Sequence, residues 1–384
     1  MTRVALARAG TGRDAAHAAV ARLMELLDDP LRHLGAGDTV LVKPNMFQLA
    51  DQFQTNRDLV AAVAARAAAT GARVIVAERT RHIYQLLGDH ETARYARILS
   101  LDDCPLRVVD IPGATSLRVP MAIPDVVLDC DYFIGMPQLR THASVVYSNA
   151  MKNLVGLLPG YTTRIVHMAG VDESTVDLNL LRPQHLVVAD ATVAIEGNYP
   201  MRGTPRTVGL VAAGTNAVAV DAVVGTAAGF DPAEVAYLTD AHRRGLGPID
   251  PAEIEIVGES LADVAFTLRR APVRIEVPRP GIHVYADRAC PACQRYIAGA
   301  MHALADELRR WPGEMTVIAG PHPTPPPRRG VVVLVGNCMY EQRDLGIYIE
   351  GCPPRAIQLA AFRYAMGREV TPMERSQFRV PAHA

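Results

Sequence analysis

Over the first 260 positions, short apolar runs alternate with alanine-rich stretches of helical period. "RVALARA" leads into "AAHAAVARLMELL", and "DTVLVKPN" reads as a strand that ends in a polar loop. "TNRDLVAAVAARAAATGARVIVAE" supplies a polar helix start, a helix, Gly71 as its C-cap and a further strand. "DYFIGMPQLRTH" predicts a strand running into a loop, and "NAMKNLVGLL" a helix stopped by Pro159-Gly160. "HLVVADATVA", "TVGLVAAG", "NAVAVDAVVGTAAG" and "EIEIVG" continue the alternation. Such regularity predicts a large, mainly parallel α/β domain over residues 1–262.

The texture changes after Gly258. "LRRAPVRIEVPRPG" has the proline and arginine content of a linker, placed at residues 263–280. A smaller α/β domain follows over 281–384, with strand "IHVYA", helix "CQRYIAGAMHALADELRR", strands "MTVIAG" and "GVVVLVG", and a last helix around "RAIQLAAFRYAMG". "PHPTPPPRRG" is too rich in proline for a helix or central strand and predicts a polyproline II surface loop.

Composition narrows the classes. The 384 residues are 49% hydrophobic and 21% charged, with a net charge of -1 and no long basic run, so nucleic acid is not an expected partner. No apolar run reaches the length of a membrane span. The N-terminus reads as a strand and an amphipathic helix rather than a signal peptide, so the expected location is the cytoplasm. Thiols stay reduced there, and a cysteine cluster points to metal or redox work rather than structural disulfides.

Of 39 basic residues, only Lys43 and Lys152 are lysines. An ammonium changes pKa on burial far more readily than a guanidinium, which marks these two positions as chemical candidates.

Four of the six cysteines fall in the smaller domain. Cys290 and Cys293 form "CPAC" directly after a strand, Cys338 ends "GNC", and Cys352 lies in "GCPP". Loops at the ends of neighbouring strands can bring these segments together, and flanking glycines let the backbone approach a cofactor. A [4Fe-4S] cluster accepts such scattered ligands. Zinc is the alternative metal, although its ribbons use two short Cys-x2-Cys knuckles. A redox dithiol at "CPAC" is a third reading. Cys104 and Cys130 read as buried small hydrophobes. The "GCPPR" run also resembles a cluster-binding segment of the small subunit shared by respiratory complex I and nickel-iron hydrogenases.

In the large domain, "VLVKPN" supplies Lys43 and Asn45, "PQLRTH" supplies Arg140 and His142, and "MKNLVGLLPG" supplies Lys152 and Asn153. "VADATVAIEGNYPMRGTP" adds Asp190, Glu196 and Arg202. The two carboxylates are candidates for acid/base work, and Asp221 in "AVAVDAVVG" is expected to find a salt bridge to one of the lysines. His167, in "RIVHMAG", has no motif around it and reads as structural.

These motifs, in this order over roughly residues 38–258, resemble the bacterial and archaeal family known as domain of unknown function 362. Gln138 and Arg140 stand where that family usually has lysines. The resemblance implies iron–sulfur segments, and more distantly a fold analogy to nickel-dependent lactate racemases. Together these observations predict an iron–sulfur oxidoreductase acting on a small anionic substrate in a biosynthetic pathway. Lys43, Asn45, Arg140, Lys152, Asn153 and Arg202 would bind the anion, with His142, Glu196 and Asp190 as proton donors or acceptors. Cys290, Cys293, Cys338 and Cys352 would hold the cluster, and a ferredoxin- or flavodoxin-type protein would exchange electrons with it. The alternatives are an electron carrier or metal-delivery factor, and an isomerase or hydrolase with a structural metal.

Overall fold

The protein is described here by a computed structural model covering residues 1–160, 162–200, 202–322, 324, 326–352, 354 and 359–381; the side chains of Arg202 and Pro291 lie outside the described residues. The central apolar runs form strands buried along their length, as a parallel sheet requires. The chain opens with β1 (Thr2–Arg8), α1 (Arg13–Leu26), β2 (Thr39–Pro44), α2 (Arg57–Ala68), β3 (Arg73–Glu78), α3 (His82–Leu87) and β4 (Arg97–Ser100). It continues with β5 (Leu106–Val109), β6 (Met121–Pro124), α4 (Asp125–Asp129), β7 (Tyr132–Met136), β8 (Gln138–His142) and β9 (Val146–Ser148). Next come α5 (Ala150–Asn153), α6 (Thr162–Ala169), α7 (Val171–Leu181), β10 (Leu186–Asn198) and β11 (Arg202–Gly214). α8 (Ala217–Ala227), α9 (Ala236–Arg243), β12 (Ile254–Gly258) and α10 (Leu261–Val264) end this part of the chain.

The main sheet runs β12-β1-β11-β10-β7-β2-β3-β4, with β8 paired to β10 and β9. Pairing is parallel from β10 through β7, β2 and β3 to β4, whereas β1 is antiparallel to β11. The predicted mainly parallel α/β fold is therefore the one observed.

Two local expectations change. "QLRTH" is a strand rather than a loop: Pro137 interrupts the run, and the chain then pairs with β10 from Gln138. "NAMKNLVGLL" forms only one α-helical turn, α5, before tightening into a 3-10 turn over Leu154–Leu157. Gly156 lies in that turn, where an added Cβ would stand 2.8 Å from the Lys43 Nζ. The absent side chain lets the backbone close over a buried charge.

The smaller sheet is wholly parallel, in the order β13 (Ile282–Tyr285), β14 (Met315–Ala319), β15 (Val331–Val335), β16 (Ile347–Ile349). Its helices are α11 (Pro291–Ala303), α12 (Ala305–Arg310), α13 (Leu359–Ala365) and α14 (Pro372–Arg375). The proline-rich segment between β14 and β15 carries neither helix nor strand among its described residues. Residues 142–146 and 197–204 cluster with 270–384, and the remaining residues form the large unit. The division thus falls at Arg269/Arg270, inside the predicted linker, with two excursions from the large domain's sequence. One excursion is fixed by Asn198, whose Nδ2 donates to the Gly299 carbonyl at 2.8 Å.

Asp221 corrects a further expectation. Its carboxylate accepts from the Ala150 and Met151 backbone N–H groups at 2.7 and 3.1 Å instead of pairing with a lysine. The first N–H groups of a helix lack intrahelical acceptors, and a buried carboxylate is a strong one. Burial, opposed by those hydrogen bonds, raises the Asp221 pKa to about 7. Asp221→Ala would leave two buried donors unsatisfied at the start of α5. It is expected to lower stability by about 2–4 kcal/mol, read as a shifted urea midpoint at unchanged m-value.

Candidate functional site

β2 and β3 are adjacent parallel strands, so their C-terminal ends share an edge of the main sheet. There the Lys43 ammonium, 1% exposed, donates to the Pro44 carbonyl (2.9 Å), Glu78 Oε2 (3.0 Å) and Asn153 Oδ1 (3.0 Å). Those bonds use all three of its N–H donors. Asn153 also donates Nδ2 to the Lys43 carbonyl, and Glu78 accepts from the Met46 and Arg79 backbone N–H groups. Lys43 and Asn153, both expected to contact an anion, thus bond to each other and tie α5 to the strand ends. Glu78 escaped the sequence reading, although a carboxylate closing the apolar run "RVIVA" was a signal.

Lys152 is different. Part of its side chain remains exposed, but protein surrounds it, and burial followed by the Arg140 charge lowers its pKa to about 8 while Asp172 opposes the shift. The expected general acid His142 clusters with the smaller unit, where its Nδ1 accepts from the Ser144 N–H at 2.9 Å. His167, read as structural, lies within the electrostatic reach of Lys152 and Arg79; burial and then those two charges lower its pKa to about 4. Arg79 donates to Thr163 Oγ1 on α6 at 2.8 Å and covers the Phe47 ring. Lys152, Arg140, Arg79 and neutral His167 therefore form a cationic group tempered by Asp172.

Arg140 is buried, and its guanidinium donates to Gln138 Oε1 and the Phe53 carbonyl. Gln138 in turn donates to the Gln52 and Val193 carbonyls. The two residues that replace family lysines thus clamp the turn after β2 and contribute charge from behind it. The Asn45 backbone pairs with Thr55, while its buried Oδ1 has no hydrogen-bond partner among the described residues.

Asp190 and Glu196, the expected acid/base carboxylates, are each engaged by other groups. Both lie on β10, which is irregular between Asp190 and Ile195, where a step of five residues is matched by a step of two on β8, and each is held by its own partners. Asp190 accepts from the Asn56 N–H and from both the N–H and hydroxyl of Thr192, pinning the start of α2. Glu196 faces Arg206 and Arg269, at 3.6 and 3.7 Å. The side chain of Arg202 lies outside the described residues.

In the smaller unit, Cys290 precedes α11 after β13, Cys338 follows β15 and Cys352 follows β16. Because the sheet is parallel, all three segments leave from one edge. The Asn337 backbone N–H donates to the Gly351 carbonyl, and its side-chain Oδ1 accepts from the Gly351 N–H at 2.8 Å, tying the last two loops. An added Cβ on Gly336 would stand 3.1 Å from Cys293 Sγ, which brings the first segment alongside.

Electrostatics agree with this convergence. A hydrogen bond from Cys293 and backbone N–H groups of the first turn of α11 lower the Cys290 pKa to about 5. The Cys290 thiolate, burial, and the charges of Cys290, Cys338 and Cys352 push Cys293 far upward. Among the described residues, no group of three or more His, Cys, Asp or Glu is arranged to hold a metal ion. The four thiols are neighbours, without a closed single-ion shell.

Replacing Lys43 with Met would leave the Glu78 carboxylate buried without its counter-charge. A stability loss of about 3–5 kcal/mol is expected, measured by chemical denaturation. An unchanged midpoint would refute the strut role.

Three similarities follow. The description "Domain of unknown function (DUF362)" matches residues 40–226. The Synechocystis sp. (strain ATCC 27184 / PCC 6803 / Kazusa) "Thylakoid-associated protein sll1697" is 30% identical over 249 residues, covering 60% of this chain and 76% of that one. The lactate racemase apoprotein of Thermoanaerobacterium thermosaccharolyticum aligns with a TM-score of 0.40 at 11% identity, over 83% of this chain and 69% of that one. No helix among the described residues is long and apolar enough to cross a membrane. On the ordered motifs and the extended relative, the chain belongs to the domain of unknown function 362 family.

Proposed function

We propose that this chain is an iron–sulfur oxidoreductase acting on a small anionic substrate. Cys290, Cys293, Cys338 and Cys352 would hold one [4Fe-4S] cluster. The observation that supports the reading is that the cysteines stand in three loops leaving one edge of a parallel sheet, with Gly336, two residues before Cys338, packed close to Cys293 Sγ. A cubane takes one thiolate at each corner iron, and bare glycine at 336 lets the second loop pass close to Cys293 Sγ. When bound, the cluster supplies one-electron chemistry. The helix start at α11 stabilises negative charge on Cys290. A ferredoxin- or flavodoxin-type protein is the proposed electron partner.

The anion would be taken by Lys152, with Arg79 and Arg140 supplying further positive potential. At neutral pH Lys152 is protonated, while His167 is neutral and able to accept a proton. A charge-assisted hydrogen bond to the ammonium holds the anion; the uncharged amine forfeits that attraction.

The Cys290–Cys293 hydrogen bond also favours a second reading, a redox-active dithiol of the Cys-x-x-Cys type. Metal analysis separates the two. An anaerobic preparation is expected to contain four irons and four sulfides per chain, with visible absorption that bleaches on reduction. Cys338→Ser and Cys352→Ser should each lower the iron content, whereas a dithiol would need neither residue. One zinc per chain would overturn the cluster reading.

The anion site has its own test, using sulfate, whose charge is constant near neutral pH. Calorimetric affinity is expected to fall about tenfold or more as pH rises through about 8, where the folded protein loses the Lys152 proton. Lys152→Met should abolish that dependence while leaving iron content unchanged. A merely structural Lys152 would leave the pH profile as it was, and a simple electron carrier would keep its electron-transfer rate in this variant.

A further inference from the structure

Phe47 stands half out of the protein. It belongs to the loop that follows β2 and is 51% exposed, whereas the preceding Met46 is fully buried. Glu78 fixes this step, since one carboxylate oxygen accepts from the Met46 N–H and the other from the Arg79 N–H. A single buried carboxylate therefore positions both the backbone leading to the ring and the backbone that carries the guanidinium. The Arg79 Cζ lies 5.2 Å from the centre of the Phe47 ring.

Arg79 keeps open donors. Its Nη1 donates to Thr163 Oγ1 at 2.8 Å, while its Nε and Nη2 have no acceptor among the described residues. Arg140 differs, because its Nε and Nη2 donate to Gln138 and the Phe53 carbonyl. Thr163 and His167 are four residues apart on α6 and share a face, so Arg79 meets this helix on the side that carries His167. A guanidinium presents a planar fork that matches a carboxylate with parallel hydrogen bonds.

Single exposed apolar side chains are common on protein surfaces. This ring differs in lying against a cation whose fork is open. We infer that the anion bound here carries a flat apolar body, as an aromatic carboxylate does: its carboxylate takes the open N–H groups of Arg79, and its ring lies against the exposed part of Phe47. This rests on the anion-site reading above and names a substrate class for it. Phe47 then selects among anions, while the cations hold the charge. Aromatic rings gain from offset or edge-to-face contact beyond the area they bury, and a short aliphatic acid has no such contact to make.

The test is calorimetric titration of the full chain near neutral pH with sulfate, acetate and benzoate, repeated on Phe47→Ala. Benzoate is expected to bind roughly three- to tenfold more tightly than acetate. In Phe47→Ala that ratio should fall to about one, whatever happens to the acetate affinity itself. Phe47→Tyr keeps a ring and should keep the preference, and Phe47→Leu carries the test if Phe47→Ala fails to fold. Arg79→Gln should weaken both carboxylates by roughly tenfold or more.

Equal affinities for acetate and benzoate in the wild-type chain would overturn the inference, as would a preference for benzoate that survives in Phe47→Ala. If sulfate, acetate and benzoate all fail to bind, the anion-site reading itself falls, before any variant is compared.

Discussion

The main sheet's functional edge depends on one fully enclosed ammonium. Lys43 draws an acceptor from each of three places: the strand that carries it, the neighbouring strand through Glu78, and α5 through Asn153. A buried charge is tolerated only when its partners are fixed, so this contact determines how α5 sits against the strand ends. Asp221 grips the same short helix from its N-terminal side. Lys152 directly follows the two residues so gripped, so its backbone position is set by the same contact. Several of the polar residues in the motifs thus hold the strand ends and α5 together.

The strand–helix alternation was legible because burial imposes a period on the sequence, and the parallel sheet followed from it. "QLRTH" was misread because its polar residues look solvent-facing; in fact Gln138 and Arg140 are buried by bonding to backbone carbonyls of the turn after β2. The partner of Lys43 could not be read locally, since Glu78 is 35 residues away and meets it only once two strands pair. The partners of Asp190 and Glu196 could not be read locally either, since Asn56, Arg206 and Arg269 meet them only in the fold. His167 was read as structural because it resembles an ordinary member of an amphipathic helix, and its charged neighbours Lys152 and Arg79 come near it only in the fold.

The cysteine segments were the clearest signal. Three loops that each follow a strand of one parallel sheet must emerge on the same side, so spacing in the sequence mattered less than strand direction. The main sheet obeys the same rule, since β2 and β3 are parallel and bring Lys43 and Glu78 together at one edge.

The amide of Asn337 acts as a clasp between two loops. Its Oδ1 accepts from the Gly351 N–H at 2.8 Å while its own backbone N–H donates to the Gly351 carbonyl, so the segment that follows β15 and the segment that follows β16 are pinned at one level. The backbones that carry Cys338 and Cys352 therefore keep a set offset that neither loop could hold alone.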